Sequence, residues 1–137
     1  MTWSTPGNDE NDSMPIWNGD LVANVWTEQN GDLVLLIAKS DAWSEIGKLL
    51  MLARMCIHIA QPSVAAVQFV QTLHLEEGSV EIRSGRSTIQ VWVDANRPVI
   101  HIQAPLCLTR SSLTPNWNSG ARRPAPITSP LRTRVAR

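Results

Sequence analysis

Only two of the 137 residues are cysteine, Cys56 and Cys107. Two cysteines cannot build a disulfide-dense scaffold. They allow one bridge, if their strands are neighbours, or two buried thiols. There is no CxxC and no Cys/His spacing of the kind that holds zinc. The sequence therefore implies neither a metal nor a cofactor. No apolar run reaches the ~18 residues needed to span a bilayer, so no membrane partner is read. A P-loop, a Gly-rich phosphate cradle and a Ser/His/Asp order are all missing. The first residues, MTWSTPGNDENDS, have no basic start followed by an apolar core and do not read as a signal peptide. Acid is missing from one whole region. Leu108 to Arg137 holds six Arg and no Asp or Glu, whereas Met1 to Cys107 holds six basic and twelve acidic residues. A net −6 followed by a net +6 marks a boundary near residue 108.

Between these absences lies a chain long enough for one domain, burying about two-thirds of its unfolded surface. Residues 1–12 are polar and turn-rich and are expected to be mobile. Residues 13–108 carry the fold. The most informative stretch is Ser13 to Glu45, SMPIWNGDLVANVWTEQNGDLVLLIAKSDAWSE. Asn30-Gly31 followed by Asp32 between apolar runs is the strongest short-range hairpin signal. Leu21 to Thr27 reads as a strand with Leu21, Ala23 and Val25 on one face and Val22, Asn24 and Trp26 on the other. Asp32 to Ala38 is a continuous apolar run, as expected of a strand covered on both faces. A hairpin brings its far ends together, so Trp17-Asn18-Gly19-Asp20 should lie near Asp41-Ala42-Trp43-Ser44-Glu45.

Leu49 to Ala60 fits helix by its Leu, Met and Ala content and strand by its alternation. The turn Gln61-Pro62-Ser63 favours a strand over 52–60. Phe69 to Leu75, Ser79 to Arg83, Ser87 to Val93 and Val99 to Ala104 alternate in turn, with Gly, Asn and Pro turns between them. Short strands at this spacing predict an all-β fold, an antiparallel β-sandwich. From Thr109 the pattern stops, and residues 109–137 are expected to be an irregular or disordered tail. Loss of pattern with Arg, Pro and Ala enrichment also suits an out-of-frame reading of GC-rich DNA. Back-translating Thr114 to Ala121 and shifting the frame yields SELELWR, which alternates like a further strand.

The residue types at the hairpin ends suggest a site. Trp stacks on sugar rings while Asn and Asp bind hydroxyls, so Trp17, Asn18 and Asp20 fit a glycan-contacting rim. The plainer reading, a turn with a packing Trp, is favoured over the rim. Asp41 and Trp43 allow the same two readings, and Asp41 with Glu45 suits an acid/base pair. His58, His74 and His101 sit on three predicted strands and are read as separate solvated residues, not as metal ligands. The Arg-rich tail could attract nucleic acid by charge, but it lacks aromatic interleaving, and no nucleic-acid partner is read.

The segment Pro15-Ile16-Trp17-Asn18-Gly19-Asp20-Leu21-Val22, followed by Asp41-Ala42-Trp43-Ser44, resembles the N-terminal region of large glycoside-hydrolase-like proteins. Specifically it is similar to domain-of-unknown-function family 5703, and more distantly to the N-terminal β-sandwich of glycoside hydrolase family 95, the α-L-fucosidase type. Those proteins carry P-[IL]-G-N-G-x-[IL]-G and then D-x-W-S. Trp17 and Val22 stand where the first and last of those glycines are expected. The resemblance covers roughly Met14 to Leu108. It implies a non-catalytic β-sandwich that packs beside a C-terminal (α/α)6 catalytic barrel absent from this chain, in an exported protein acting on carbohydrate. No catalytic residue carries over, since glycoside hydrolysis needs a positioned carboxyl pair. Two other readings stand beside it. One is a free-standing carbohydrate-binding module with Trp17, Trp43 or Trp92 as its platform. The other is a non-functional fragment.

Overall fold

Alternation decides which side of each strand is buried, and two strand sets with apolar inner faces must then cover one another. A computed structural model of the chain describes residues 1–59, 68–104 and 108–115. Among these residues the strands are β1 (Thr2–Trp3), β2 (Met14–Trp17), β3 (Leu21–Thr27), β4 (Leu33–Trp43) and β5 (Leu49–Ile59). They continue with β6 (Phe69–His74), β7 (Ser79–Ser84), β8 (Ser87–Val93), β9 (Ile100–Gln103) and β10 (Leu108–Pro115). One sheet has the order β1-β6-β7-β8-β9 and the other β10-β5-β4-β3-β2. Every pairing is antiparallel. The expected all-β architecture is what the chain adopts.

The inner faces supply the core. Met14, Ile16, Ala23, Val25, Leu33, Leu35 and Ile57 of one sheet meet Phe69, Leu73, Val80, Ile82, Ile89 and Val91 of the other. Full burial of each such aliphatic side chain contributes roughly 1.5–3 kcal/mol. The Asn30-Gly31 hairpin forms as its sequence predicts. Gly31 donates to the Glu28 carbonyl at 2.9 Å, Glu28 donates to the Asp32 carbonyl at 2.9 Å, and Gly31 has φ 90°. Register then runs from Thr27 opposite Leu33 to Leu21 opposite Lys39.

Several strands differ from the sequence-based expectation. Residues 49–59 do form a strand, β5, in spite of their helix-favouring Leu and Met. Pairing with β4 on one side and β10 on the other outweighs local propensity. β4 and β5 run longer than predicted, to eleven residues each. β2 was hidden by Pro15, and it lies at the sheet edge, where proline is tolerated. The first twelve residues are fastened to the sandwich. Thr2 and Trp3 pair with Thr72 and Gln71, and Gly7 donates to the Thr27 carbonyl at 2.8 Å. The cause is Trp26, which points to the outer face of its sheet yet is buried. Residues around Gly7 cover it so closely that a Cβ at Gly7 would lie 3.2 Å from the indole Cδ1. Residues 109–115, read as patternless, belong to β10, which pairs with β5. The expected disorder and frame shift beyond them fall on 116–137, outside the described residues. Cys56 is a free thiol, and Cys107 lies outside the described residues.

One buried polar side chain bridges the two sheets. Gln71 of β6 is only 2% exposed. It donates through Nε2 to the Val25 carbonyl at 3.2 Å and accepts from the Thr27 hydroxyl at 3.3 Å. Removing it takes the acceptor from the buried Thr27 hydroxyl and a second donor from the Val25 carbonyl. Gln71→Ala is expected to lower the free energy of unfolding by about 1–3 kcal/mol in urea titration. A variant as stable as the parent would show that these contacts contribute nothing net.

Candidate functional site

The two ends of the hairpin meet, as its geometry requires. Lys39 sits opposite Leu21 at the last β3–β4 pair. Its ammonium lies 3.0 Å from Asp20 Oδ1 and 2.6 Å from Asp41 Oδ2. Ser40 donates its backbone N–H to the Asp20 carbonyl at 2.8 Å. The Trp43 indole N–H donates to the Ser40 carbonyl at 2.7 Å. Hydrogen bonds to Asp41 and then Asp20 push Lys39 upward, while the Lys39 ammonium holds the Asp41 carboxyl below its usual range. Trp17 and Trp43 are 67% and 58% exposed, so an indole stands on each of the two converging segments.

Asn18 takes the turn role that was one of its two sequence-based readings, and adds a tie to the other sheet. Its Oδ1 accepts from the backbone N–H of Asp20 at 3.0 Å and of Leu21 at 2.8 Å. Its Nδ2 donates to the carbonyls of Asp94 at 2.7 Å and Arg97 at 3.1 Å. The amide therefore shapes the β2–β3 turn and ties it to the β8–β9 loop of the other sheet. In that loop the Asp94 carboxylate meets the Arg97 guanidinium at 2.8 Å and His101 Nε2 at 3.2 Å. Arg97, the Asn96 backbone N–H and His101 together hold Asp94 well below the usual carboxylate range. His101 also stacks on Trp92, with ring centroids 5.0 Å apart and planes 13° from parallel.

The histidines are divided between the sheets. His58 is on β5, where its Nδ1 meets Asp32 Oδ1, while His74 and His101 are on β6 and β9. Cys56 donates to Asp32 at 3.7 Å. Burial and then Asp32 push its thiol upward, which is the opposite of an activated nucleophile. Among the described residues no group of three or more His, Cys, Asp or Glu could hold a metal ion. Glu45 lies in the exposed turn at the tip of the β4–β5 hairpin.

Residues 2–114 match the N-terminal family model described as Domain of unknown function (DUF5703). The chain belongs to this family. No curated protein and no solved structure matches it.

In this DUF5703 domain the missing glycines at 17 and 22 leave the backbone unstrained. Trp17 and Val22 are paired strand residues, and no non-glycine residue among those described has positive φ. The left-handed position of the turn is Gly19, at φ 94°, and it retains its glycine. Lys39 was findable from sequence by counting outward from Asn30-Gly31. Asp94, Arg97 and His101 were not, because only packing of the two sheets brings their loop to Asn18.

Two outcomes test this construction. Asn18→Ala is expected to lower the unfolding free energy by about 1–3 kcal/mol, because the turn amides and the two loop carbonyls lose their partners together. Unchanged stability would show that the turn holds without the clamp. For Asp94, a depressed folded pKa means that its stabilisation is complete above the unfolded value of about 3.9 and is lost as pH falls below it. Asp94→Asn should therefore melt at a lower temperature than the parent at pH 6, with the gap narrowing below pH ~4. A gap independent of pH would show that the carboxylate charge is not what the loop uses.

Proposed function

We propose that this domain is a non-catalytic β-sandwich module of a larger glycan-acting protein. Its hairpin ends contribute a rim that contacts carbohydrate. The observation that carries the reading is the pair of exposed indoles, Trp17 and Trp43, on segments joined by the Asp20–Lys39–Asp41 ion pairs. Indole faces suit the apolar faces of sugar rings, and the flanking ionised groups suit their hydroxyls. The same ion pairs speak against acid catalysis by the module itself. A glycosidase general acid needs a raised pKa and a partner carboxylate at a set distance. Asp41 is instead shifted downward by Lys39. In this reading the catalytic carboxylates belong to a C-terminal domain of the parent, of the kind implied by the resemblance to glycoside hydrolase family 95.

A second feature supports the idea of a larger parent. β4 and β5 extend past Lys39, the last residue of β4 paired to β3, as a projecting hairpin arm. Ile46, Leu49 and Leu50 of this arm are exposed at 76%, 49% and 39%. An apolar patch of this kind suits packing against further polypeptide.

Titrating the 137-residue chain with neutral oligosaccharides tests the rim. The indole N–H resonances of Trp17 and Trp43 are expected to shift saturably, and no reducing ends should be released. Immobile indoles would remove the rim. Release of reducing ends by the chain alone would overturn the non-catalytic assignment.

A further inference from the structure

The outer face of the β1-β6-β7-β8-β9 sheet carries an ordered set of polar side chains that the hairpin-end rim does not use. Partners across an antiparallel sheet point to the same side. Thr2 pairs with Thr72, Thr72 with Glu81, Glu81 with Gln90, and Gln90 with Gln103. One row of hydroxyl, carboxylate and amide groups thus crosses all five strands. At the usual strand spacing of about 4.8 Å, the four gaps span about 19 Å. Beside it runs a second row, in which Ser79 pairs with Trp92 and Trp92 with His101.

We propose that this face is a second binding surface, for an extended neutral oligosaccharide lying across the strands. It rests on the glycan reading above but uses different residues. Three observations carry it. First, the row presents donors and acceptors at one strand interval, and each glutamine amide offers both kinds. A chain of pyranose units repeats its hydroxyls on a comparable interval. Second, the charge on the row is neutralised locally. Glu81 meets Arg83 Nε at 2.7 Å, so the row favours an uncharged polyol over an anion. Third, an aromatic wall stands beside the row. Trp92 is stacked on His101, and His101 is held in turn by Asp94. The indole is therefore held in place before any ligand arrives, which lowers the entropy lost on binding. Thr2 and Gln103 at the two ends are exposed, and Thr72, Glu81 and Gln90 between them are half-buried. The Thr2 and Thr72 hydroxyls meet at 3.4 Å and Gln90 Nε2 donates to Ser79 Oγ at 3.5 Å, so part of the row is held by its own contacts.

The test is a titration of the 15N-labelled 137-residue chain with cellohexaose, xylohexaose and mannohexaose. Polygalacturonate serves as the anionic comparison. With at least one neutral hexasaccharide, the amides of Thr72, Glu81, Gln90 and Gln103 and the Trp92 indole are expected to shift saturably. Gln90→Ala and Trp92→Ala should each weaken binding at those resonances at least about tenfold, or about 1.4 kcal/mol. Shifts at residues 17–20 and 39–43 should keep their midpoint in both variants. Gln103→Ala, at an exposed position, gives the same readout if Trp92→Ala does not fold. Shifts confined to residues 17–20 and 39–43 would overturn this inference and leave the hairpin-end rim standing. Shifts on the sheet face alone would sustain the inference and remove the rim. A face that responds only to polygalacturonate, or to no probe, overturns it.

Discussion

The end of the sandwich where the hairpin ends meet is fastened by one primary amide. A neutral carboxamide offers one acceptor oxygen and two N–H donors. Asn18 uses its oxygen within its own turn and its nitrogen on the β8–β9 loop of the opposite sheet. Neither contact alone would set the relation between the sheets. Together they fix where β2 ends, and hence where Trp17 leaves the surface and where Asp20 faces Lys39. The hairpin ends and the Asp94 loop therefore form one mechanical unit, although 76 residues separate Asn18 from Asp94.

The ionisable groups of this unit are matched in small sets. Lys39 lies between Asp20 and Asp41, and Asp94 between Arg97 and His101. The Lys39 pairs are open to solvent and contribute little to stability, whereas the Asp94 carboxylate is largely covered. Their consequence is chemical. A carboxylate held ionised by an adjacent cation accepts hydrogen bonds strongly, yet it is a poor proton donor near neutrality. Asp41 and Asp94 are both shifted in that direction. Surfaces built from such groups recognise hydroxyls and amides better than they perform proton transfer.

Legibility in the sequence followed the range of the interactions. The Asn30-Gly31 turn is local, and β3 and β8 coincide with their sequence-based bounds because their alternation is unbroken from Leu21 to Thr27 and from Ser87 to Val93. Segments whose form depends on a distant partner were harder. β1 is two residues held by Thr72 and Gln71, and β10 has no alternation of its own but lies along β5. Trp26 shows the same limit at a single position. Its place on the face opposite Leu21, Ala23 and Val25 is evident from period two. Its burial is not, because the cover comes from residues around Gly7, whose missing side chain permits the approach. At the site, residue types pointed correctly to where the hairpin ends converge. Of the two readings open for Asn18 the turn is the one its contacts fit, since its amide is engaged by backbone on both sides.

The β4–β5 arm reverses the usual relation between strand length and burial. Strands normally extend as far as neighbours and core support them, and a two-stranded hairpin alone is marginal in water. Here β3 stops at the Leu21–Lys39 pair, yet β4 and β5 rejoin at Trp43 and Leu49. Trp43, Ile46, Leu49 and Leu50 are exposed along that extension, beside Asp41, Glu45 and Lys48, where a free hairpin would be expected to keep large apolar side chains away from its edges. Its own packing within the described residues does not account for that composition. Trp43 lies at the root of the tip turn, positioned by the Ser40 carbonyl. One of the two rim indoles thus rides on the least supported part of the sandwich. Its placement, and with it the proposed sugar-contacting rim, depends on how firmly the arm is held.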